Sequence, residues 1–353
     1  MRARLDSSSP QPARRALGRR AFLAATLAGA ATAASGACSG AGCAAREGAR
    51  LHALPDAPRP PATSTVAVVR PSASPSLRSA LEDAIRLAGG LGFIRPGDSV
   101  LLKPAVNSGK PYPATTDPEV VHVVARLVLD AGGVPFVADR TMFLHSTRAA
   151  LERTGIRDAA RGLGIPCVAL EDSEVAWIRH PLATHWPDRT IRIYRPVLAA
   201  DHVIGLCTPR THVRGAFTMA MKNAVGVVDG AARLRMHLGP GLQARLAEIS
   251  LVANPSLVVL DGRAGFADGG PDEGDRCQPD FIAASTDPLA LDAVGLAFLR
   301  LAGTNDTIGR GSLWRIPMMR RAAEIGVGAA SVDRIVLAGP SGADAARLRR
   351  EMS

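Results

Sequence analysis

Lysine is almost missing from this chain. Arginine is the default cation, and Lys103, Lys110 and Lys222 are the only lysines among 42 basic residues. A coding bias of that kind replaces lysines that merely solvate a surface. An ammonium and a guanidinium differ in pKa, donor geometry and reach, so the two are not exchangeable at a site. Aromatics are also scarce, at 4% of residues, and the arginines are dispersed with no Lys/Arg block. The formal charge of +10 therefore does not argue for a nucleic-acid partner. Part of that charge is N-terminal, since residues 1–37 hold six arginines against one aspartate, a net of +5. Cys167, Cys207 and Cys277 stand alone, with no C-x-x-C pair and no ferredoxin-like run. No iron–sulfur cluster is expected, and buried free thiols are the default. Also absent are a G-x-G-x-x-G after a strand, a P-loop, a G-x-S-x-G elbow and an H-E-x-x-H helix, together with the chemistry each announces.

A strong membrane span is missing too. The alanine-rich run after Arg19-Arg20, through Ala34, is shorter and weaker than the roughly 20 apolar residues a span needs. Its surroundings fit export instead. Arg19-Arg20-Ala21-Phe22-Leu23 follows a basic stretch, and Ala31-Thr32-Ala33 offers a cleavage site, the order of a twin-arginine signal peptide. A disordered basic tail is the plainer alternative. The expectation is a signal over residues 1–37, read by the twin-arginine translocase, and a periplasmic or exported protein. Ser35-Gly36-Ala37-Cys38 has the small residues of a lipid-anchoring site without its aliphatic residue, so lipidation of Cys38 stays open. Residues 38–64, rich in Ala, Pro, Gly and Ser, read as a linker.

The body of the chain beyond the linker is globular. The chain has 353 residues, 47% hydrophobic and 21% charged, enough for a large core. Short apolar runs alternate with longer amphipathic ones. Thr65–Val69, Ser99–Lys103, Phe136–Asp139 and Cys167–Leu170 read as strands. Leu77–Leu91, Asp117–Ala131 and Arg148–Leu163 read as the helices between them. Asp117-Pro118-Glu119 is a strong helix start, with an N-cap carboxylate, proline in the first position and an acid in the first turn. From Val175 to Tyr194 the rhythm changes to short alternations, an antiparallel excursion. Strands at His202–Leu206, Leu257–Asp261, Phe281–Ser285 and Arg334–Leu337 then alternate with helices at Gly215–Val225, Leu242–Val252, Asp287–Leu301 and Pro317–Ile325. The fold class is α/β, a mainly parallel sheet flanked by helices, with the small antiparallel excursion around 175–195. The domain spans 65–345, either as one body or as two lobes, 65–172 and 196–345, around an insertion at 173–195.

Polar residues gather at strand C-terminal ends, where open parallel sheets place their ligand crevice. Lys103 is followed by Asn107, Lys110, Thr115 and Thr116; Asp139 closes the third strand; Arg210, Thr211 and His212 follow the strand ending at Leu206. Asp261 and Asp268 sit on a later strand end and its loop, and Lys222-Asn223 lies between His212 and His237. Any one of these has a bland reading, since loops are polar and strand-end Asp residues cap helices. Lys222 too has its plainer alternative, an ordinary helix-face charge, and the functional reading outweighs it. The joint pattern carries more.

LLKPAVNSGKPYPATTDPEVV, the VADR strand end, TPRTHVRGAFTMAMKNAVGVVDG, LVVLDG with DGGPDEG, and STDPLALDAVG closely resemble the family catalogued as domain of unknown function 362. The resemblance covers roughly Val66 to Leu299. It marks Lys103, Asn107, Thr115, Thr116, Asp139, His212, Lys222, Asn223, Gly226, His237, Asp261, Gly270, Pro271, Asp287 and Asp292 as motif positions. Arg210 departs from it, because relatives commonly carry lysine there. The ferredoxin-like cysteine modules of many relatives are also missing, which puts a direct electron-transfer role in doubt.

Lys, Arg, Asn and His donors in one cleft favour an anion: a carboxylate, a phosphate or a polar cofactor tail. Lys222 and His212 are the candidate catalytic groups, as polarising or proton-transfer residues. Lys103, Asn107, Lys110, Thr115, Thr116, Arg210, Thr211, Asn223 and His237 are the candidate ligand binders. Asp139, Asp261 and Asp268 offer a possible divalent-metal set, against their usual capping and pairing roles. The cofactor is otherwise unknown. A buried Lys222 needs a carboxylate, Asp139 or Asp261, or a ligand beside it; desolvation would also let it act as a base or a Schiff-base amine. The residues fit two function classes: an exported enzyme acting on a small anionic molecule, or a non-catalytic binding or redox-accessory protein with a partner in the envelope.

Overall fold

The apolar runs assemble into one sheet with helices on both faces. The computed structural model describes residues 52–53 and 62–353, so the expected signal and most of the expected linker lie outside the described residues. The main sheet is built from β2 (Ser64–Val69), β3 (Ser99–Pro104), β4 (Val134–Asp139), β5 (Cys167–Ala169), β8 (His202–Cys207), β11 (Leu257–Gly262), β14 (Phe281–Ser285) and β15 (Ile335–Ala338). Their spatial order is β15-β2-β14-β11-β8-β3-β4-β5. Only β14 runs against its neighbours, and every other pairing is parallel. Strands from 65–172 and from 196–345 thus share one sheet, with β2 seated between β15 and β14.

Side chains alternate between two cores. Val100 and Leu102 of β3 join the helices Leu77–Leu87 and Pro118–Asp130 on one face. Leu101, with Phe136, Leu260 and Phe281, points to the other face, under the helices Leu242–Ile249, Pro288–Leu301 and Pro317–Glu324. Burial on both sides is why β3 and β11 read as continuous apolar runs rather than alternating ones. The helix starts are those written in the sequence. Asp117 accepts from the Glu119 N–H ahead of Pro118, and Asp287 accepts from the Leu289 and Ala290 N–H groups ahead of a helix that is buried along nearly its whole length.

The antiparallel excursion is present. β6 (Val175–Arg179) pairs with β7 (Thr190–Tyr194), and β1 (His52–Ala53) adds to β6 in parallel. A second small sheet holds β9 (Arg210–His212), β10 (Ala216–Thr218), β12 (Gly265–Asp268) and β13 (Asp275–Cys277). Two helix readings need correction. Gly215–Val225 is not one helix but strand β10 followed by a short helix, Ala220–Asn223, and a 3-10 turn. That run is apolar all round and therefore carries no periodicity to separate a buried strand from a buried helix. Arg148–Leu163 is broken into Thr147–Arg153 and Ile156–Arg161 by Gly155, which sits at φ 76°, a left-handed value that ends a helix.

Candidate functional site

The chain runs outward through β3, β4 and β5, then returns to lay β8 on the opposite side of β3. Ligand crevices of open α/β sheets form beyond the strand C-termini at such a reversal. Here the reversal gathers Lys103, Asn107, Asp139, Arg140, Arg210, Lys222, Asn223 and Arg233 around one small cleft. Its interior holds about 40 Å³.

Lys103 is wholly committed. Its Nζ lies 2.7 Å from Asp139 Oδ1 and donates to Asn223 Oδ1 at 2.9 Å and to the Pro104 carbonyl at 2.6 Å. Asn223 returns a hydrogen bond from Nδ2 to the Lys103 carbonyl, 3.1 Å. Asp139 also accepts from the Val106 N–H at 2.8 Å. Burial pushes the Lys103 ammonium down and the Asp139 carboxyl up, each against the pull of the other. Gly226 backs directly onto this pair: a Cβ there would lie 2.0 Å from Asp139 Oδ1 and 2.8 Å from Lys103 Nζ. The glycine is required by close approach rather than by its backbone angles.

Lys222 differs from Lys103. It is 9% exposed, yet among the described residues it makes no ion pair. The expected carboxylate partners are engaged elsewhere, Asp139 with Lys103 and Asp261 with Arg263 at 2.7 Å. The reason is topological: β3 and β4 are neighbours, so Lys103 meets Asp139 across adjacent strand ends. Burial first, then the Arg233 and Arg210 charges, lower the Lys222 pKa to about 7. Arg210 Nη1 donates to the Ala114 and Pro271 carbonyls, and Arg233 Nη1 to the Arg140 and Thr141 carbonyls. The Nε of each arginine is buried and finds no acceptor among the described residues. Desolvation lowers both guanidinium groups to about 10.

His212 and His237 lie within electrostatic reach of Lys222 but are not among the residues lining the cleft, and they are opposite tautomers. The Arg214 and Gly215 N–H groups donate to His212 Nδ1 at 3.1 and 3.0 Å, so its proton sits on Nε2. His237 Nδ1 is 2.8 Å from the Arg233 carbonyl and must be the donor, which leaves a lone pair on Nε2. Desolvation, reinforced for both rings by the Lys222 charge, lowers His212 to about 2 and His237 to about 4. Both rings are neutral near pH 7. His212 is therefore a hydrogen-bond donor or polarising group rather than a base.

The other expected site residues are placed less centrally. Asn107 lines the cleft and donates to Asp272 at 2.7 Å. Lys110 is at the surface, paired with Glu273. The Thr116 hydroxyl bonds the Leu206 carbonyl at 2.8 Å, Thr115 faces the Ser108 carbonyl at 3.4 Å, and Thr211 Oγ1 accepts from the Gly270 N–H at 3.1 Å. These threonines shape loops. The three carboxylates considered for a metal are engaged separately: Asp139 and Asp261 as above, Asp268 at the surface with Asn305. Among the described residues no three His, Cys, Asp or Glu side chains come together as metal ligands. Arg140 and Arg233 are site residues the sequence reading missed. Arg140 directly follows Asp139, and Arg233 stands one helical turn before His237 on Gly230–Leu238. The turn spacing was the available signal.

Residues 100–297 match the family described as domain of unknown function (DUF362). The chain is also similar to a protein of Synechocystis sp. named thylakoid-associated protein, 34% identical over 234 residues, which is 64% of this chain and 71% of the relative.

Proposed function

The chain belongs to the DUF362 family, and from that premise we propose that its cleft binds a small anionic molecule. One observation carries the reading. Five cations line the cleft (Lys103, Arg140, Arg210, Lys222 and Arg233), against Asp139 in its lining and Asp272 beside it, whose charge reaches Arg210 and Lys222. Only Lys103 is neutralised by Asp139. Buried charge without a counter-charge is unfavourable, and an anion accepting from the free Nε groups of Arg210 and Arg233 supplies both missing partners.

The reading extends to an exported protein of the cell envelope, an enzyme in which Lys222 does the chemistry and His212 polarises the ligand. The relative's name, thylakoid-associated, agrees with export or membrane association. No described helix is long and apolar enough to cross a membrane. The alternative, a non-catalytic ligand-binding or redox-accessory protein of the envelope, is favoured by His212 itself, whose basic nitrogen is consumed by two backbone donors.

Calorimetry with oxalate, set against its neutral isostere oxamide, tests anion binding. Oxalate is expected to bind one to one and to raise the melting temperature, while oxamide does neither. Arg210→Gln, checked for native circular dichroism, is expected to weaken oxalate by about tenfold, the effect of losing one charge-assisted contact. Equal binding of oxalate and oxamide, or heat from neither, rejects the reading.

A further inference from the structure

The cleft contains three kinds of cation with three fates. Arg210 and Arg233 are anchored to backbone carbonyls, and Lys103 is held by Asp139, Asn223 and Pro104. Lys222 is buried and lines the cleft with no hydrogen bond or ion pair among the described residues, and Asp272 is the one carboxylate whose charge reaches it. A lysine that serves only as a counter-charge is ordinarily left solvated or paired, because burying it alone is unfavourable by several kcal/mol even after relaxation.

We propose that Lys222 is a nucleophilic amine that forms an imine with the carbonyl carbon of a small oxoacid whose carboxylate is held by Arg210 and Arg233. The inference rests on the anion-binding reading and adds the substrate class to it. Three observations support it. The stem is held close to bare backbone at Gly215, where a Cβ would stand 3.2 Å from Lys222 Cε, so the amine is aimed rather than free to swing. Burial among Arg233, Arg210 and Lys103 leaves a large share of Lys222 as neutral amine at pH 7, the form that attacks carbonyls. Both proton functions of imine formation are present in its field, a lone pair on His237 Nε2 and a proton on His212 Nε2. Each ring lies within electrostatic reach of Lys222.

The step balances without a redox partner. The amine nitrogen bonds the carbonyl carbon, and the two protons it loses leave with the carbonyl oxygen as one water. His237 Nε2 accepts the first proton and returns it to the oxygen as the oxygen leaves, the second N–H proton follows to the same oxygen, and His212 Nε2–H polarises it throughout. An oxoacid suits the charge, with the carboxylate on the arginines and the adjacent carbonyl toward the amine.

The chain contains only three lysines, which makes the test clean. The full protein is incubated near neutral pH with glyoxylate, or with the neutral aldehyde glycolaldehyde, reduced with borohydride, and mapped by peptide mass spectrometry. The expected result is a glyoxylate adduct on Lys222 at least tenfold above that on Lys103 or Lys110, with glycolaldehyde giving no such preference. Lys222→Arg, folded by circular dichroism, should carry no adduct in that peptide. If oxalate binds by calorimetry but glyoxylate labels only exposed Lys110, the imine is overturned and the anion site stands. If neither oxalate binding nor Lys222 labelling is seen, both fall.

Discussion

At Lys222 burial fixes the sign of a pH dependence. The folded pKa is lowered from 10.5 to about 7, so between those values the unfolded chain carries a proton that the folded chain has shed. Stability therefore rises as pH climbs from about 7 to about 10.5, and below that window the full penalty is present. Lys222→Met keeps the stem's volume and removes the charge. It is expected to stabilise the ligand-free protein by about 1 kcal/mol or more at pH 7. The gap over wild type should close as pH approaches 10, and paired urea denaturation curves at the two pH values check it. A variant less stable than wild type at pH 7 would mean that Lys222 has a partner in solution. The sequence revealed this residue through scarcity. It hid Arg140 and Arg233 for the opposite reason: one arginine among many offers no contrast, and what sets these two apart is where the fold places them, Arg140 behind Asp139 and Arg233 buried.

At the scale of the element, the short helix Ala220–Asn223 cannot hold itself. Its N-cap, Met219, has no capping side chain, and the Ala220 and Met221 N–H groups are satisfied from outside by Asp292, at 2.7 and 3.1 Å. Asp292→Ala leaves two buried donors unmet and is expected to cost about 2–4 kcal/mol, read as a lower urea midpoint. It should also displace Lys222 and Asn223, so oxalate binding should fall with stability. Asp292→Asn, which keeps one acceptor, should recover part of both. Gly226→Ala probes the opposite wall. Its methyl group would stand where Asp139 Oδ1 now is, so the Lys103–Asp139 pair must part. A loss above about 2 kcal/mol is expected, because separating a buried pair leaves each charge uncompensated. An unchanged midpoint would show that the pair moves freely and is not a fixed wall of the site. These supports also mark how far the sequence was legible. Asp117-Pro118 and Asp287-Pro288 named their helices because a cap acts over two or three residues. Asp292 caps a helix some seventy positions away in sequence, and only the sheet topology brings them together.

For the whole molecule, the expected route out of the cytoplasm rests on Arg19-Arg20 and the mild apolar run behind them. Replacing both with lysine should keep the protein in the cytoplasmic fraction. Continued delivery to the envelope by the twin-arginine route would remove the signal reading.

Whether the antiparallel excursion folds with the rest turns on Glu248, which is completely buried and joins three distant segments. It accepts from Arg321 Nε and Nη2 at 2.9 and 2.7 Å and from the His185 N–H at 3.1 Å, and it lies 2.7 Å from His185 Nδ1. Arg321 also donates to the Leu182 carbonyl at 2.8 Å. One carboxylate therefore ties the loop between β6 and β7 to the helices Leu242–Ile249 and Pro317–Glu324. The excursion's Ala176, Ile178, Ile191 and Ile193 belong to the same apolar cluster as Leu101 and Phe136 of the main sheet. If clasp and core act together, Glu248→Gln lowers global stability by about 1–3 kcal/mol, because Arg321 loses the buried one of its two carboxylates and keeps Glu324. The urea slope should stay as in wild type, since the surface exposed on unfolding is unchanged. Glu248 does not line the cleft, so the folded variant should bind oxalate with native affinity. A shallower slope, or a separate early transition seen by Trp177 and Trp186 fluorescence, would instead show the excursion opening as its own unit.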